Sequence, residues 1–317
     1  MTMNLTEKQE LECRTLWRNC FGDSELYMDY YFGEKCKESK IFVDVEDGHI
    51  VSMVYLNPYD LMWQGEKIRS YYIVGVATED KYRKQGRMRR LLEKAFVEMK
   101  AEGILFTYLM PANRNIYEPF GFETIYRQKR IRVSGIEGER ISNVKAVKRE
   151  KINSVISMRR MSELGEAELE RMVSFSQRKL PNEFDLYAVR DIGYYQQLQR
   201  EMQAMEGDVA VFETSTGEMV GVVAYGLENG YLEVVESLMK TEFTMGIIGE
   251  LLAAEGVKDA SQIYFYETHF VDKAVLEEMG TGLECTEKEA IMVKVLAESD
   301  LCQELFVNSN VYLNELV

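Results

Sequence analysis

The segment Val76 to Met88 reads V-A-T-E-D-K-Y-R-K-Q-G-R-M, and Lys81, Arg83, Lys84, Arg87, Arg89 and Arg90 form one basic cluster within and just after it. A β-rich run ends near Thr78, a basic loop follows, and an apolar helical stripe opens after Gly86. The first turn of a helix leaves backbone N–H groups unpaired and carries partial positive charge, which suits phosphate. Gly86 lets the main chain approach an anion with no Cβ in the way. Arg83, Lys84 and Arg87 add full charges around it. A cluster of Lys and Arg is more often a solvated turn. Here the strand-loop-helix context and the glycine favour a pyrophosphate guest. The loop is not a Walker loop, because G-x-x-x-x-G-K-[ST] is missing. No G-x-G-x-x-G dinucleotide fingerprint follows a strand either.

The elements that must hold this loop follow from periodicity. Met88, Leu91, Leu92, Ala95, Phe96 and Met99 recur at helical spacing, and Gly103 stands where glycine ends helices. Strands are expected over Glu66 to Thr78 before the helix and Ile104 to Met110 after it, a βαβ order with a parallel pair. Upstream, Thr6 and Gln9 suit a capping box for a helix whose stripe runs from Cys13 to Phe21. A second helix is expected over Ser24 to Phe32. Asp47-Gly48 then separates strands Lys40 to Val45 and Ile50 to Leu56 as a hairpin.

Composition narrows the chemistry. The 317 residues carry 53 acidic against 38 basic side chains, a formal charge of −15. That balance disfavours nucleic acid, whose binding rests on phosphate neutralisation, and it attracts cationic amines. No apolar run is long enough to cross a bilayer, and Met1 to Glu10 lacks a secretory h-region. A cytoplasmic protein without a membrane partner is expected. Five scattered cysteines and two histidines imply neither a disulfide framework nor a metal site. Cys13 shares a stripe with Leu16 and Trp17 and reads as core.

R-K-Q-G-R-M resembles the [QR]-x-x-G-x-[GA] acyl-CoA loop of the GNAT superfamily of N-acyltransferases, with Arg83 and Gly86 matching and Met88 replacing the small last residue. Within that superfamily the chain is similar to the enhanced-intracellular-survival acetyltransferases, which carry two GNAT-like domains and a sterol-carrier-like domain. The resemblance covers about Leu5 to Arg130 well and the rest weakly. It implies acetyl-CoA as co-substrate. Backbone groups of Val76 and Thr78 would pair with pantetheine in a splayed gap between two strands and polarise the thioester. Arg83, Lys84, Gln85, Gly86, Arg87 and Met88 would cradle the pyrophosphate, and Asn113 would touch the cofactor. In N-I-Y-E-P-F-G-F, Tyr117 matches the family's general acid for the departing thiolate. A phenol, with a pKa near 10, is a fitting acid for a thiolate. Asp60, Glu66 and Glu79 lie nearby in sequence, but nothing selects a general base among them.

Gly135 to Lys151 reads as a linker or surface hairpin, which places the domain boundary at 150/151. Beyond it the succession repeats: a helix Ser162 to Lys179, a second containing Tyr194 to Met202, a hairpin Asp208 to Tyr225, a strand Tyr231 to Met239, a helix Phe243 to Ala254, a strand Gln262 to Glu267 and a short helix before Gly280. The resulting fold class is α/β, two tandem GNAT-like domains, each a mixed, mostly antiparallel sheet with a parallel strand pair and flanking helices. In the second domain K-T-E-F-T-M-G-I-I-G-E replaces the basic loop, so residues 151–317 read as a degenerate repeat that supports the first domain, walls the acceptor cleft or forms an oligomer contact. His269 reads as structural. The expected activity is acetyl transfer to a primary amine of a small molecule or peptide. The alternative is a non-catalytic acyl-CoA sensor or scaffold.

Overall fold

The computed structural model describes residues 5–135, 155–228, 231–256, 262–266, 273–280, 282–297 and 310–313. The expected linker after Gly135, and His269, lie outside the described residues. Contacts divide the chain into two units. The first holds Met1–Arg127, Phe184–Val189 and Glu289–Val317, and the second Gln128–Glu183 and Arg190–Lys288. The chain is therefore not cut once at 150/151. The reason is backbone pairing, since segments from the C-terminal half supply strands to the first sheet.

In the first unit, helices α1 (Glu7–Phe21) and α2 (Glu25–Gly33) precede strands β1 (Lys40–Glu46), β2 (His49–Trp63) and β3 (Glu66–Thr78). The capping box forms: Thr6 Oγ1 accepts the Gln9 N–H at 3.4 Å and Gln9 Oε1 accepts the Thr6 N–H at 3.0 Å. The Asp47-Gly48 turn has φ of 50° and 79°, the double positive φ of a tight hairpin, and it sets Glu46 opposite His49. After β3 come α3 (Arg87–Ala101) and β4 (Phe106–Leu109). Helix α3 ends as its sequence indicates. Gly103 is left-handed at φ 76°, while Ile104 N–H reaches Met99 O and Gly103 N–H reaches Lys100 O.

Strand β5 (Glu123–Ser134) follows, and β6 (Ile156–Arg160) opens the next described stretch. Strand β7 (Leu186–Ala188) pairs antiparallel with the far half of β2, a strand the hydropathy pattern does not announce. Strand β12 (Gly282–Val295) supplies Met292 to Val295 as an antiparallel neighbour of β4, and β13 (Val311–Tyr312) runs parallel to β7. The first unit's order is β13-β7-β2-β3-β4-β12, with β1 on β2. One face carries α3 over Leu56, Ile73 and Leu109, and the other carries Cys13, Trp17, Met28 and Tyr31 over Met53 and Tyr55. Leu92, Ala95 and Met99 of α3 have no exposure. Burying a side chain the size of Leu or Met contributes about 1.5–3 kcal/mol.

The second unit repeats the plan. It contains α4 (Glu166–Lys179), α5 (Ile192–Ala204), β8 (Asp208–Thr214), β9 (Met219–Glu228), β10 (Tyr231–Met239), α6 (Thr244–Ala254), β11 (Gln262–Tyr266) and α7 (Lys273–Met279). Its order is β5-β11-β10-β9-β8-β6, with β10 and β11 parallel and the remaining pairs antiparallel. The protein is thus α/β, with two mixed sheets that contain parallel pairs. Among the described residues no helix is long and apolar enough to cross a membrane.

Candidate active site

Strand β3 is irregular where the chemistry is expected. Met53 faces Ala77 and Tyr55 faces Val74, so Gly75 and Val76 together oppose Val54 in a β-bulge. Gly75 has φ 59°, and a Cβ there would lie 2.4 Å from the Trp17 ring. The bulge therefore needs glycine for two reasons, backbone angle and the indole packed over it.

On its other edge β3 pairs with β4 only at Tyr71↔Thr107 and Tyr72↔Tyr108. The strands part beyond that point. Glu79 donates its N–H to Val51 O, and Ser52 Oγ donates to Ala77 O at 2.9 Å, so both backbone groups face β2. Alternation along a strand turns the amides of Val76 and Thr78 toward the opposite, opened edge. Thr78 O takes a hydrogen bond from Arg83 Nε at 3.0 Å, which fastens the basic loop to the end of the strand.

The loop itself is wound tightly. A 3-10 turn, Asp80–Tyr82, leads to Lys84 at φ 61° and Gly86 at φ 72°, and α3 begins with no side-chain cap. Gly86, left-handed, passes directly into right-handed Arg87, and such a pair of mirror conformations turns successive N–H groups toward one side, a concavity suited to anions. Its charges are unequally engaged. Arg87 is 8 % exposed, and its guanidinium meets Glu46 at 2.7 Å and Asp44 at 3.3 Å on β1. Arg90 pairs with the same Asp44 at 2.9 Å, Arg83 with Asp80 at 2.8 Å, and Lys81 with Glu79 at 3.2 Å. The Lys84 side chain makes no ion pair or hydrogen bond among the described residues and is exposed. Gln85 donates to Lys81 O at 3.2 Å. Arg87 therefore offers its backbone N–H, while its side chain anchors the helix start to β1.

Tyr117 stands between two 3-10 turns, Arg114–Ile116 and Glu118–Phe120. Its ring packs edge-on to Phe122 at 5.8 Å and belongs to the apolar cluster under α3, against which Val76 and Met88 also pack. One cluster thus brings together three positions that lie far apart in the chain. The Tyr117 hydroxyl has no hydrogen-bond partner among the described residues, and burial of the ring pushes its pKa up to about 12. Asn113 caps the first turn, accepting the Asn115 N–H at 3.0 Å through its side-chain oxygen.

Two positioning contacts are invisible to local sequence reading. Lys294 of β12 donates to Phe120 O at 2.6 Å and lies over the Phe96 ring at 5.1 Å, so a residue from the far end of the chain fixes the turn after Tyr117. Burial lowers its ammonium pKa, with Lys100 adding to the effect. The other contact is Trp17 over Gly75. None of the three carboxylates near in sequence stands as a base beside the bulge. Asp60 is held by Lys67 at 2.8 Å and Arg69 at 2.6 Å, and Glu66 begins β3, some twelve residues or about 40 Å of extended chain from Thr78. Glu79 pairs with Lys81.

Residues 2–125, which lie in the first unit, match the family model of the acetyltransferase (GNAT) domain. No curated protein matches the sequence. Solved structures share the fold over nearly the whole chain. A probable N-acyltransferase from Enterococcus faecalis V583 superposes with a TM-score of 0.68 at 12 % identity, covering 93 % of this chain and 72 % of that one. Eis1 from Mycobacterium abscessus gives 0.58 at 11 %, covering 93 % and 72 %. A tandem GNAT protein of the clavulanic acid biosynthesis pathway gives 0.59 at 10 %, covering 93 % and 97 %. The fold is that of tandem GNAT proteins.

Proposed function

We propose that the protein transfers an acetyl group from acetyl-CoA to a primary amine, and that the first unit performs the reaction. The observation that carries this reading is the shared cluster of Val76, Met88 and Tyr117, which sets an open strand edge, an uncapped helix start and an unengaged phenol around one apolar patch. The amides from Lys84 to Met88, with the Lys84 ammonium, would hold the diphosphate. Gly86 leaves that approach open, since the nearest atom to a Cβ there is Arg90 Nη1 at 3.7 Å. The Val76 and Thr78 amide edge would accept the pantetheine arm and donate to the thioester oxygen. The neutral amine attacks the thioester carbon, a C–N bond forms, and the oxyanion is stabilised by that preorganised edge. Collapse breaks the C–S bond, and Tyr117 supplies the proton to the departing thiolate. Its raised pKa keeps that proton in place at neutral pH.

The amine must also lose a proton, and no side chain is assigned to that step; water serves it in this reading. The acidic surface of the chain favours a cationic acceptor, a small polyamine or a peptidyl amine. A second reading, an acyl-CoA sensor without turnover, draws support from the engagement of Asp60 and Glu79 elsewhere. A thiol-release screen with polyamines, aminoglycosides and peptides separates the two. Turnover with any amine supports the enzyme. Tight coenzyme A binding without thiol release across the panel supports the sensor.

In the second unit β10 also carries an irregularity, between Val234 and Glu236, but the corresponding helix start is closed. Thr244 is fully buried, and Ile156 packs so near Gly246 that a Cβ there would lie 2.3 Å from it. Glu236 is held by Arg190 at 2.6 Å and by Tyr195 at 3.0 Å. We infer that this unit is a supporting repeat without a second acyl-CoA site.

A further inference from the structure

The second unit nevertheless has a concavity of its own. A groove of about 550 Å³ opens between the last turn of α4, the 3-10 turn Leu180–Asn182, the β8–β9 turn and Lys240 after β10. Its size falls in the range of small-molecule sites. Four cations line it, Arg171, Arg178, Lys179 and Lys240, against one carboxylate, Glu218. In a chain of net charge −15 such an excess is unusual. The carboxylate is already engaged by Lys240, and Arg171 is held by Glu213 at 2.8 Å and by Gly217 O at 2.7 Å. Arg178 differs from all of these. Among the described arginines its guanidinium alone makes no ion pair, hydrogen bond or ring contact.

Lys179 beside it is half-buried, and burial is the chief reason its ammonium pKa is lowered. A basic last turn also suits the C-terminal end of a helix dipole. That accounts for the residue types and for neither the concavity nor the bare guanidinium. Ser174 and Asn182 add polar groups at the wall, while buried Phe175 and Met219 give an apolar floor. A ligand that matches needs several negative charges at one end and some carbon framework at the other.

We propose that this groove binds a small organic anion bearing phosphate or carboxylate groups, with Arg178 and Lys179 as its principal contacts. The site is independent of the acyl-CoA reading. To separate the two, the full chain carrying Gly86→Glu, whose added carboxylate is expected to keep anions from the α3 amides, is titrated calorimetrically with inorganic pyrophosphate and separately with citrate. Saturable binding of one or both is expected, weakened at least tenfold by adding Arg178→Ala and Lys179→Ala. Preference for pyrophosphate assigns a phosphate ligand, and preference for citrate a polycarboxylate. In the chain with native Gly86 the same pair of substitutions should leave coenzyme A affinity unchanged. Arg178 is exposed and Lys179 only half-buried at the end of α4, so a native circular dichroism spectrum is expected. Arg178→Gln, which keeps a polar hydrogen-bonding side chain and removes the charge, should reproduce most of the loss. Absence of saturable heat with both probes, or equal binding by the correctly folded double variant, overturns the proposal.

Discussion

The Arg87 guanidinium lies 2.7 Å from Glu46 Oε2, across from the loop glycine that precedes it. The first residue of the helix therefore fastens α3 to β1 with its side chain and leaves its backbone to face the loop. Arg87→Ala is expected to lower the thermal midpoint while changing coenzyme A affinity less than Lys84→Ala does. Melting curves and calorimetry on the two variants check this. A loss of affinity confined to Arg87→Ala, with an unaltered melt, contradicts the assignment.

Gly86 has room for a side chain but a left-handed backbone at φ 72°. Gly86→Ala should cost about 1 kcal/mol of stability from the backbone angle. Gly86→Glu places a negative charge against the helix start and should abolish coenzyme A binding while the chain stays folded. Calorimetry with a parallel circular dichroism spectrum tests both. Retained affinity in the glutamate variant would falsify the diphosphate cradle.

Gly75 is constrained differently, because its missing Cβ is the space occupied by Trp17. Gly75→Ala combines a positive φ with overpacking of about 1–3 kcal/mol, so a total near 2–4 kcal/mol is expected. The bulge should flatten with it. Denaturant unfolding measures the first effect and a raised KM for acetyl-CoA the second. Gly75→Ala should be milder in a Trp17→Leu background; equal damage in both backgrounds would remove the indole from the explanation.

Tyr117→Phe keeps the ring in its cluster and deletes the proton. The expected result is a fall in kcat of about a hundredfold with little change in coenzyme A affinity. The pH argument has a definite sign. A phenol pushed up to about 12 is protonated throughout the neutral range, and its acid function is lost only as pH rises through that value. The wild-type rate should thus climb with pH as the amine deprotonates, with no falling limb from Tyr117 below about pH 10. A descending limb near pH 8 that vanishes in Tyr117→Phe would count against the assigned role.

In the second unit Arg190 and Glu236, 1 % and 2 % exposed, form a buried pair completed by Tyr195. Arg190→Met strands a buried carboxylate, and a loss of about 3–5 kcal/mol is expected. Replacing both residues, Arg190→Met with Glu236→Leu, should recover much of it. Equilibrium unfolding of the single and double variants gives the comparison.

Most of the first unit could be read from residues in order. The stripe from Met88 to Met99, Gly103 as its stop, the Asp47-Gly48 hairpin and the uncapped start at Gly86 depend on interactions within a few positions, and local periodicity expresses those. The repeated succession of elements after Ser162 was legible for the same reason. Tertiary structure alone decided which charges remain available. Arg87 looks like a ligand in sequence and is committed to Asp44 and Glu46, because strand pairing brings β1 beside α3. It also decided where the first unit ends, since β7 and β12 answer hydrogen-bonding edges that the chain meets only after folding. Trp17 over Gly75 and Lys294 under Phe120 belong to the same class. Each joins residues whose separation along the chain leaves no periodic trace, so their coupling exists only in three dimensions.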